Sequence, residues 1–378
     1  MSEYALTERE LEGRVYGALE FESVPGGIAP LRLPAWTRPQ HAGGGIDRMS
    51  AQTSGVRIRV LTAAARIRLE VTFTRTTTRG NPARLIRVVA ETPLVELPLT
   101  LDEGDLLFEA TDGTAVREAG ERSQLVFELD DAGVERLVTI WLPTPAACVF
   151  HSLSADAPLR PAPAQGARWI HYGSSISHGS SLADPRGPWP QQVARELGLD
   201  LVNMGFAGNA MLDGFVARSI AQAPAELITL KIGINIVNGD AMRARTFVPA
   251  VHNFLDLVRA GHPSTPLAVI TALACPIHED ATGPTREVSP GKTGATPREI
   301  PDGDGSLTLR RTRSLLEQVV AAREDTALHL VDGLTLLGVD DGRLPDNLHP
   351  DQVGHDLIAA RFMPVARRLL ESTPVVGR

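Results

Sequence analysis

Cysteine, lysine and aromatic residues are scarce in this chain of 378 residues, and long apolar runs are missing. The two cysteines, Cys148 and Cys275, lie far apart in sequence, which argues against a disulfide framework or a cysteine-rich metal knuckle. No window approaches the roughly 18 consecutive apolar residues of a transmembrane helix. The opening stretch, MSEYALTERELEGRVYG, has neither the basic nor the apolar region of a secretory signal, so the cytoplasm is the expected compartment.

An excess of positive charge is also missing. The formal net charge is −8 and the arginines are scattered, so neither nucleic acid nor an anionic membrane surface is an expected partner. Hydrophobic residues make up 43% of the chain and charged residues 22%, which is typical of a soluble globular protein with a sizeable core. His278, Glu279 and Asp280 are adjacent, but no further residue has metal-ligand spacing, so no metal is expected.

The first part of the chain shows the period-two alternation of β-strands that have one wet face. Gly, Asp, Pro and Thr, which form turns, separate the alternating segments. Short strands at this spacing predict an all-β sandwich or jelly roll over residues 1–156. The predicted strands are 56–62, 65–74, 84–90, 124–130 and, with a more buried pattern, 135–143.

A Pro- and Ala-rich linker, residues 157–166, precedes a region with a different pattern. Over residues 167–378, short apolar strands alternate with amphipathic helices, which predicts parallel βαβ units and a covered sheet of about five strands. The predicted strands are 168–173, 200–205, 225–233, 266–273 and 327–333. The predicted helices are 188–198, 216–224, 247–263, 307–324 and 351–372.

One segment, residues 276–306, interrupts this alternation with about 30 residues rich in Gly, Pro, Thr and charge. Loops of this length without secondary structure are uncommon in compact domains. Two interpretations are open: a surface insertion, or a lid or wall over a functional site.

Polar motifs follow the predicted parallel strands, at the sheet edge where ligands bind in open α/β folds. The stretch HYGSSISHG (171–179) ends the first strand with two adjacent serines, and NMGFAGNA, after the second, contains Gly208. The third is followed by KIGINIVNG, which contains Asn235. Before the last helix, LPDNLHPDQVGH places Asp346 three residues from His349, a spacing that lets the carboxylate hold one imidazole nitrogen while the other faces a serine.

The ordered series Ser, Gly, Asn, Asp-x-x-His resembles the SGNH hydrolases, also called the GDSL family of esterases and lipases. GSSIS stands where the family has Gly-Asp-Ser, which implies that Ser175 is the nucleophile. GFAGNA, GINI and DNLHP match the later family motifs through Gly208, Asn235, Asp346 and His349. The resemblance covers residues 167–372 and is most specific to a subgroup with a β-sandwich ahead of the catalytic domain. It implies a three-layer, flavodoxin-like α/β catalytic domain.

The resemblance also implies a reaction. His349 is expected to remove the proton of Ser175, with Asp346 fixing the imidazole tautomer. The backbone N–H groups of Ser175 and Gly208 and the Asn235 side chain are expected to form an oxyanion hole. Acyl transfer to or from a hydroxyl of a sugar, a glycoside or a polyketide-type molecule is expected. No cofactor is expected, and an acyl-thioester such as acyl-CoA is a candidate co-substrate. Hydrolysis and transfer to an alcohol both remain open.

Two departures from the family pattern support an alternative, a carbohydrate-binding protein with a degraded hydrolase domain. Ser174 replaces the family's Asp before the nucleophile, and Ile236 replaces the Asp after Asn235. His178 and Trp36 are candidates for contacts with the substrate. The β-rich domain is interpreted as a spacer, a sugar-binding module or a wall of the active site.

Overall fold

The computed structural model describes residues 3–41, 44–78, 81–109, 115–129, 133–297, 299 and 303–371. The chain divides into two units: one runs to Gln165 and includes Leu182–Arg186, and the other comprises Gly166–Ser181 and the chain from Gly187 onward. Within the described ranges, no helix has both the length and the apolar character needed to cross a membrane.

The first unit is built from strands, with two short helices, α1 Glu8–Glu12 and α2 Gly45–Ala51. The alternating segments form strands because each can bury one face: β11, for example, alternates strictly between buried and exposed residues. The strands are β1 Tyr4–Ala5, β2 Val15–Tyr16, β3 Glu20–Val24, β4 Gly27–Leu31, β5 Arg57–Thr62, β6 Arg66–Thr77, β7 Ile86–Glu91, β8 Glu96–Leu101, β9 Asp105–Glu109, β10 Ala115–Glu118, β11 Ser123–Glu128, β12 Arg136–Trp141, β13 Ala146–Ala155 and β14 Arg160–Pro161.

These strands form two sheets. One has the order β10-β9-β6-β13-β4-β3, with β1 paired to β13 and β11 paired to β6; the other has the order β14-β5-β12-β7-β8, with β2 paired to β5. Residues from both sheets share one hydrophobic core, among them Val60 and Val138 from one sheet and Phe73 and Phe150 from the other. The arrangement is a β-sandwich. The linker predicted over 157–166 contains β14, which pairs with β5.

The second unit alternates strands with helices. Its strands are β15 Arg168–Gly173, β16 Asp200–Gly205, β17 Leu227–Lys231, β18 Leu267–Ile270, β19 Thr285–Ser289, β20 Lys292–Ala295 and β21 Leu328–Val331. Its helices are α3 Ser175–His178, α4 Trp189–Leu197, α5 Gly214–Gln222, α6 Ile234–Asn238, α7 Ala244–Gly261, α8 Leu309–Ala321 and α9 Gln352–Glu371. The five predicted parallel strands pair in the order β16-β15-β17-β18-β21, the order of a flavodoxin-like sheet.

Helices cover both faces of this parallel sheet. Trp169 and Tyr172 lie three residues apart on β15, so their side chains point to opposite faces. Trp169 packs against Trp189 of α4 and Phe362 of α9, whereas Tyr172 stacks on Phe254 of α7. The unit therefore has three layers, with α4 and α9 on one face and α7 on the other.

The segment predicted to lack regular structure, residues 276–306, contains an antiparallel hairpin. Strands β19 and β20 pair with Thr285 opposite Ala295, and Gly291 makes the turn in the left-handed conformation (φ 69°). The prediction of a structureless loop is wrong for this part, because Thr285 and Val288 before the Pro-Gly turn and Thr293 after it are residues that favour strands. Residues 298 and 300–302 of the segment lie outside the described residues.

Candidate active site

Ser175 begins the one-turn helix α3, immediately after β15. Ser174 is the N-cap residue and is extended (φ −86°, ψ −163°), so the chain turns sharply between strand and helix. Within the stretch 171–179, all residues except Ser175 are buried. The turn thus presents the Ser175 hydroxyl and encloses its neighbour, Ser174, whose exposed fraction is 0%.

Ser175, His349 and Asp346 form one chain of hydrogen bonds. His349 Nε2 lies 2.9 Å from Ser175 Oγ, and His349 Nδ1 lies 2.7 Å from Asp346 Oδ2. With Nδ1 carrying a proton for the carboxylate, Nε2 is left to accept the proton of the serine hydroxyl. The three side chains thus have the geometry of a nucleophile, a base and an orienting group.

A tight turn before α9 holds Asp346 against His349. The second carboxylate oxygen, Oδ1, accepts the backbone N–H groups of Leu348 (2.9 Å) and His349 (2.6 Å). Partial burial acts to raise the pKa of Asp346, but the hydrogen bonds from His349 and Leu348 outweigh it and lower the pKa below its ordinary value. Asp346 is therefore a carboxylate at neutral pH.

Gly208 lies in the turn that follows β16. Its φ is 70°, and a Cβ placed there would meet no atom within 4 Å, so glycine is required by backbone conformation and not by space. Gly173 of β15 pairs with Gly205 of β16, so the loops bearing Ser175 and Gly208 leave the sheet at the same level. Among the described residues, the N–H groups of Ser175 and Gly208 have no hydrogen-bond acceptor.

Asn235 lies in the first turn of α6, after β17, and its exposed fraction is 1%. Its Oδ1 accepts the N–H of Ala210 at 3.1 Å, which ties α6 to the Gly208 turn and leaves Nδ2 as the donating end of the amide. This Nδ2 has no acceptor among the residues that the structure describes. A buried amide whose donor is unused is suited to bind an oxygen of a substrate.

A buried lysine lies beneath the nucleophile turn. Lys231 ends β17, has an exposed fraction of 2%, and donates from Nζ to Ser174 Oγ at 3.1 Å. Burial lowers the pKa of Lys231 to about 7, because the charged form loses its hydration. Ser174, in place of the family's Asp, thus accepts a hydrogen bond without placing a second charge beside the lysine.

Two buried histidines complete this polar layer. His171 hydrogen-bonds Thr229 Oγ1 and Ser177 Oγ, both at 2.7 Å, and burial, aided by the charge of Lys231, lowers its pKa well below the ordinary value. His355 accepts the N–H of Trp189 at 3.2 Å, and the same two causes lower its pKa to about 4. Both imidazoles are therefore neutral at physiological pH.

The sequence also predicts substrate contacts by His178 and Trp36, and no metal at His278, Glu279 and Asp280. His178 is within α3 and has an exposed fraction of 0%; Trp36 belongs to the β-rich unit, where its exposed fraction is 39%. His278 bonds Thr285 Oγ1, Glu279 pairs with Arg313 and Asp280 with Arg310. In the described part of the chain, no group of three or more His, Cys, Asp or Glu residues is placed to hold a metal ion.

Sequence reasoning missed Lys231. A signal was present, because the chain contains two lysines, Lys231 and Lys292, among 37 basic residues. A lysine within the apolar strand segment AELITLKIG is therefore unusual in both composition and position. Its partner could not be deduced, because Ser174 is 57 positions away in sequence.

Comparison with known proteins gives a family and a fold. Residues 171–357 match the model of the GDSL-like lipase/acylhydrolase family. No curated protein sequence is significantly similar to the chain.

Solved structures resemble the chain over nearly its whole length. A salicylyl-acyltransferase, SsfX3, from a tetracycline biosynthetic pathway has 24% identity and a TM-score of 0.76, covering 96% of this chain and 95% of its own. A GDSL-like lipase from Bacteroides ovatus has 18% identity and a TM-score of 0.68, covering 98% of both chains. A family two carbohydrate esterase from Clostridium thermocellum, in complex with cellohexaose, has 13% identity and a TM-score of 0.61, covering 94% and 99%. At these identities the likeness concerns the fold, and it confirms the predicted fold class of both units.

Proposed function

The α/β unit of this chain belongs to the GDSL-like lipase/acylhydrolase family, and from that premise we propose that Ser175 carries the acyl group in a serine-dependent esterase or acyltransferase. The observation that supports this assignment is the hydrogen-bond chain from Ser175 through His349 to Asp346, at 2.9 and 2.7 Å. The alternative of a degraded, non-catalytic domain has no support in this geometry, because nucleophile, base and carboxylate are all in bonding distance.

The first half of the reaction forms the acyl-enzyme. Ser175 Oγ attacks the acyl carbonyl carbon while His349 Nε2 takes the hydroxyl proton. Asp346 stabilises the imidazolium that results and holds its orientation. The tetrahedral intermediate collapses as the imidazolium returns the proton to the leaving alcohol or thiol, and the acyl group remains on Ser175.

The second half reverses the roles. Water or an acceptor alcohol gives its proton to His349 Nε2 and attacks the acyl-enzyme carbonyl. Ser175 leaves with the proton that His349 returns. Water gives a free acid, and an alcohol gives a new ester, so one set of residues serves both outcomes.

The oxyanion of both intermediates is assigned to three donors. The N–H groups of Ser175 and Gly208 and Nδ2 of Asn235 have no acceptor among the described residues, so each has a hydrogen bond to give. Donors that are already oriented stabilise the developing charge without reorganisation. Each is expected to contribute about 3–4 kcal/mol to transition-state stabilisation.

The proposed substrate is a sugar, a glycoside or a polyketide-type small molecule. One of its hydroxyl groups either carries the acyl group as an ester or accepts it. This range includes the activities named for the structural relatives, a salicylyl-acyltransferase and a carbohydrate esterase. The proposed acyl donor is an ester or an acyl-thioester such as acyl-CoA. No nucleic acid or membrane is part of the proposal.

The test uses the whole chain and its Ser175→Ala variant with aryl esters and acyl thioesters, in the presence of sugars and polyhydroxylated aromatics. Mass spectrometry identifies the products. Ser175→Ala is expected to lose product formation, and Ser314→Ala, which changes an exposed serine on α8, is expected to keep it. A fluorophosphonate adduct on Ser175 is expected in the parent protein. Full turnover by Ser175→Ala would refute the proposal.

Free acid as the product would identify an esterase, and an acylated hydroxyl would identify an acyltransferase. The chemical class of the acylated acceptor would then define the natural substrate.

A further inference from the structure

The hairpin β19–β20 is bonded to the turn that carries Asp346. Thr293 of β20 donates twice to the Asp346 carbonyl oxygen, from its backbone N–H at 2.9 Å and from Oγ1 at 2.8 Å. One residue therefore supplies two hydrogen bonds to the backbone of the residue whose side chain holds His349. Lys292, beside it, donates from Nζ to the carbonyl of Pro345.

The contact continues at the next residue of the turn. Asn347 Nδ2 donates to the Thr293 carbonyl at 2.9 Å. Asn347 has a φ of 71°, a left-handed conformation that is uncommon outside glycine but is tolerated by Asn. The bond to Thr293 fixes the side chain of Asn347. The backbone conformation of Asn347 in turn directs the N–H groups of Leu348 and His349 toward the Asp346 carboxylate.

The base of the hairpin is itself anchored in the α/β unit. His278, with an exposed fraction of 0%, bonds Thr285 Oγ1 at 2.6 Å and so fixes the first residue of β19. Arg313 of α8 makes two bonds to Glu279, at 2.7 and 2.8 Å, and also donates to the carbonyl of Ala272. The hairpin is thus connected to the helix layer as well as to the turn.

A second anchor links the hairpin to the helix that carries Asn235. Gly283, two residues before β19, passes so close to α6 that a Cβ there would lie 2.1 Å from the carbonyl oxygen of Val237. The chain from Gly283 to Thr293 therefore connects the Asn235 helix with the Asp346 turn.

We propose that the hairpin Thr285–Ala295 positions the Asp346–His349 pair, and that Thr293 is the positioning residue. This role rests on the proposed function, because positioning the pair matters for the reaction only if His349 acts as the base. The hairpin makes no bond to Ser175. Its effect passes through the backbone of Asp346 and the side chain of Asn347.

Thr293 is expected to act by keeping the Asp346 turn aligned. If Oγ1 of Thr293 is removed, the Asp346 carbonyl keeps one of two donors, and the turn gains freedom to rotate. Small misplacements of a catalytic group cost about 100-fold in rate per ångström. Loss of one of the four hydrogen bonds between hairpin and turn is expected to lower kcat about ten-fold. KM is expected to stay within about two-fold, since no group assigned to bind substrate changes.

The experiment compares Thr293→Val with Thr293→Ser in the whole protein, with p-nitrophenyl acetate as the substrate. Valine keeps the shape and the backbone N–H but lacks the hydroxyl, whereas serine keeps the hydroxyl. Thr293→Val is expected to lose about ten-fold in kcat, and Thr293→Ser is expected to stay within about two-fold of the parent. The rate at which a fluorophosphonate labels the serine, followed by mass spectrometry, is expected to change in parallel and serves if the ester is a poor substrate.

Asn347→Gly provides an independent variant if Thr293→Val does not fold. Glycine accepts the left-handed backbone without strain but removes the amide bond to Thr293. A drop of about five-fold in kcat or in the labelling rate is expected.

Parent-level kcat and labelling rate in both Thr293→Val and Asn347→Gly would overturn the inference, as would an equal loss in Thr293→Val and Thr293→Ser. Ser175→Ala distinguishes this failure from failure of the proposed function. If Ser175→Ala is inactive and unlabelled while the hairpin variants behave as the parent, the hairpin does not position the pair but the serine mechanism stands. If Ser175→Ala keeps its activity, the mechanism itself is wrong.

Discussion

Two groups of polar side chains lie around Ser175, and they differ in their access to water. His349 and Asp346 have side chains that are 28% and 33% exposed, and they are joined by a charge-assisted hydrogen bond. Lys231 and Ser174 are 2% and 0% exposed and are joined by a hydrogen bond that needs no second charge. Hydrogen bonds from His349 and Leu348 lower the pKa of Asp346, whereas burial lowers the pKa of Lys231 to about 7.

The difference assigns separate tasks to the two groups. A base that cycles between imidazole and imidazolium needs a carboxylate partner and access to the substrate's proton. Lys231 and Ser174, which support the nucleophile turn, need neither a carboxylate partner nor access to the substrate. Burial also makes a permanent charge costly at their position.

The largest effect is expected from Asp346→Asn. The amide can present a donor to His349 Nδ1 and so favour the tautomer in which Nε2 carries the proton, which cannot accept one from Ser175. A loss of about 10⁴-fold in kcat is expected from steady-state kinetics with an aryl ester. Asp340→Asn, at an exposed aspartate earlier in the same segment, is the matched control and is expected to keep the parent rate. A loss under about ten-fold for Asp346→Asn would refute the assigned role of the carboxylate.

A smaller effect is expected from Asn235→Ala. The variant lacks the buried Nδ2 donor, and loss of one oxyanion donor typically lowers kcat about 10²–10³-fold while KM changes little. Asn238→Ala, at the other end of α6, tests whether the effect belongs to the helix or to the amide. Equal losses in both variants would mean that a disturbed helix, and not the missing donor, causes the change.

The smallest effect on catalysis, and a distinct effect on stability, is expected from Lys231→Met. The folded pKa of Lys231, about 7, lies below its ordinary value of 10.5, so between these pH values the unfolded chain binds the extra proton. The free energy of unfolding of the parent should therefore rise with pH across this window, by about 1.4 kcal/mol per pH unit from this group. Methionine removes that contribution, so the parent-minus-variant difference should increase from about pH 7 to about pH 10 in urea unfolding. A difference that does not change with pH would show that Lys231 is charged in the folded state.

Much of this site could be predicted from sequence because its parts are local motifs at strand ends. Asp346 and His349 are three residues apart, and Ser175 follows a strand whose apolar pattern is plain. The five parallel strands can also be predicted from local sequence, because a strand that is buried on both faces has a continuous apolar run.

The supporting parts could not be predicted because they depend on contacts between distant residues. Thr293 meets Asp346 from 53 positions away, and Lys231 meets Ser174 from 57. The hairpin was missed because its Gly, Pro and Thr content is equally typical of a loop. Helices α3 and α6 were missed because one turn is too short to show a period of 3.6 residues.

The scarcity of lysine has a practical consequence for chemical labelling. Apart from the α-amino group, the chain carries two primary amines, and both lie next to the proposed site: Lys231 is buried below the nucleophile, and Lys292 is exposed on the hairpin. Apart from the α-amino group, an amine-reactive dye under native conditions therefore marks the hairpin at Lys292, while Lys231 reacts once the fold opens. A single labelling time course would then report local hairpin motion and global unfolding as two separate sites in one peptide map.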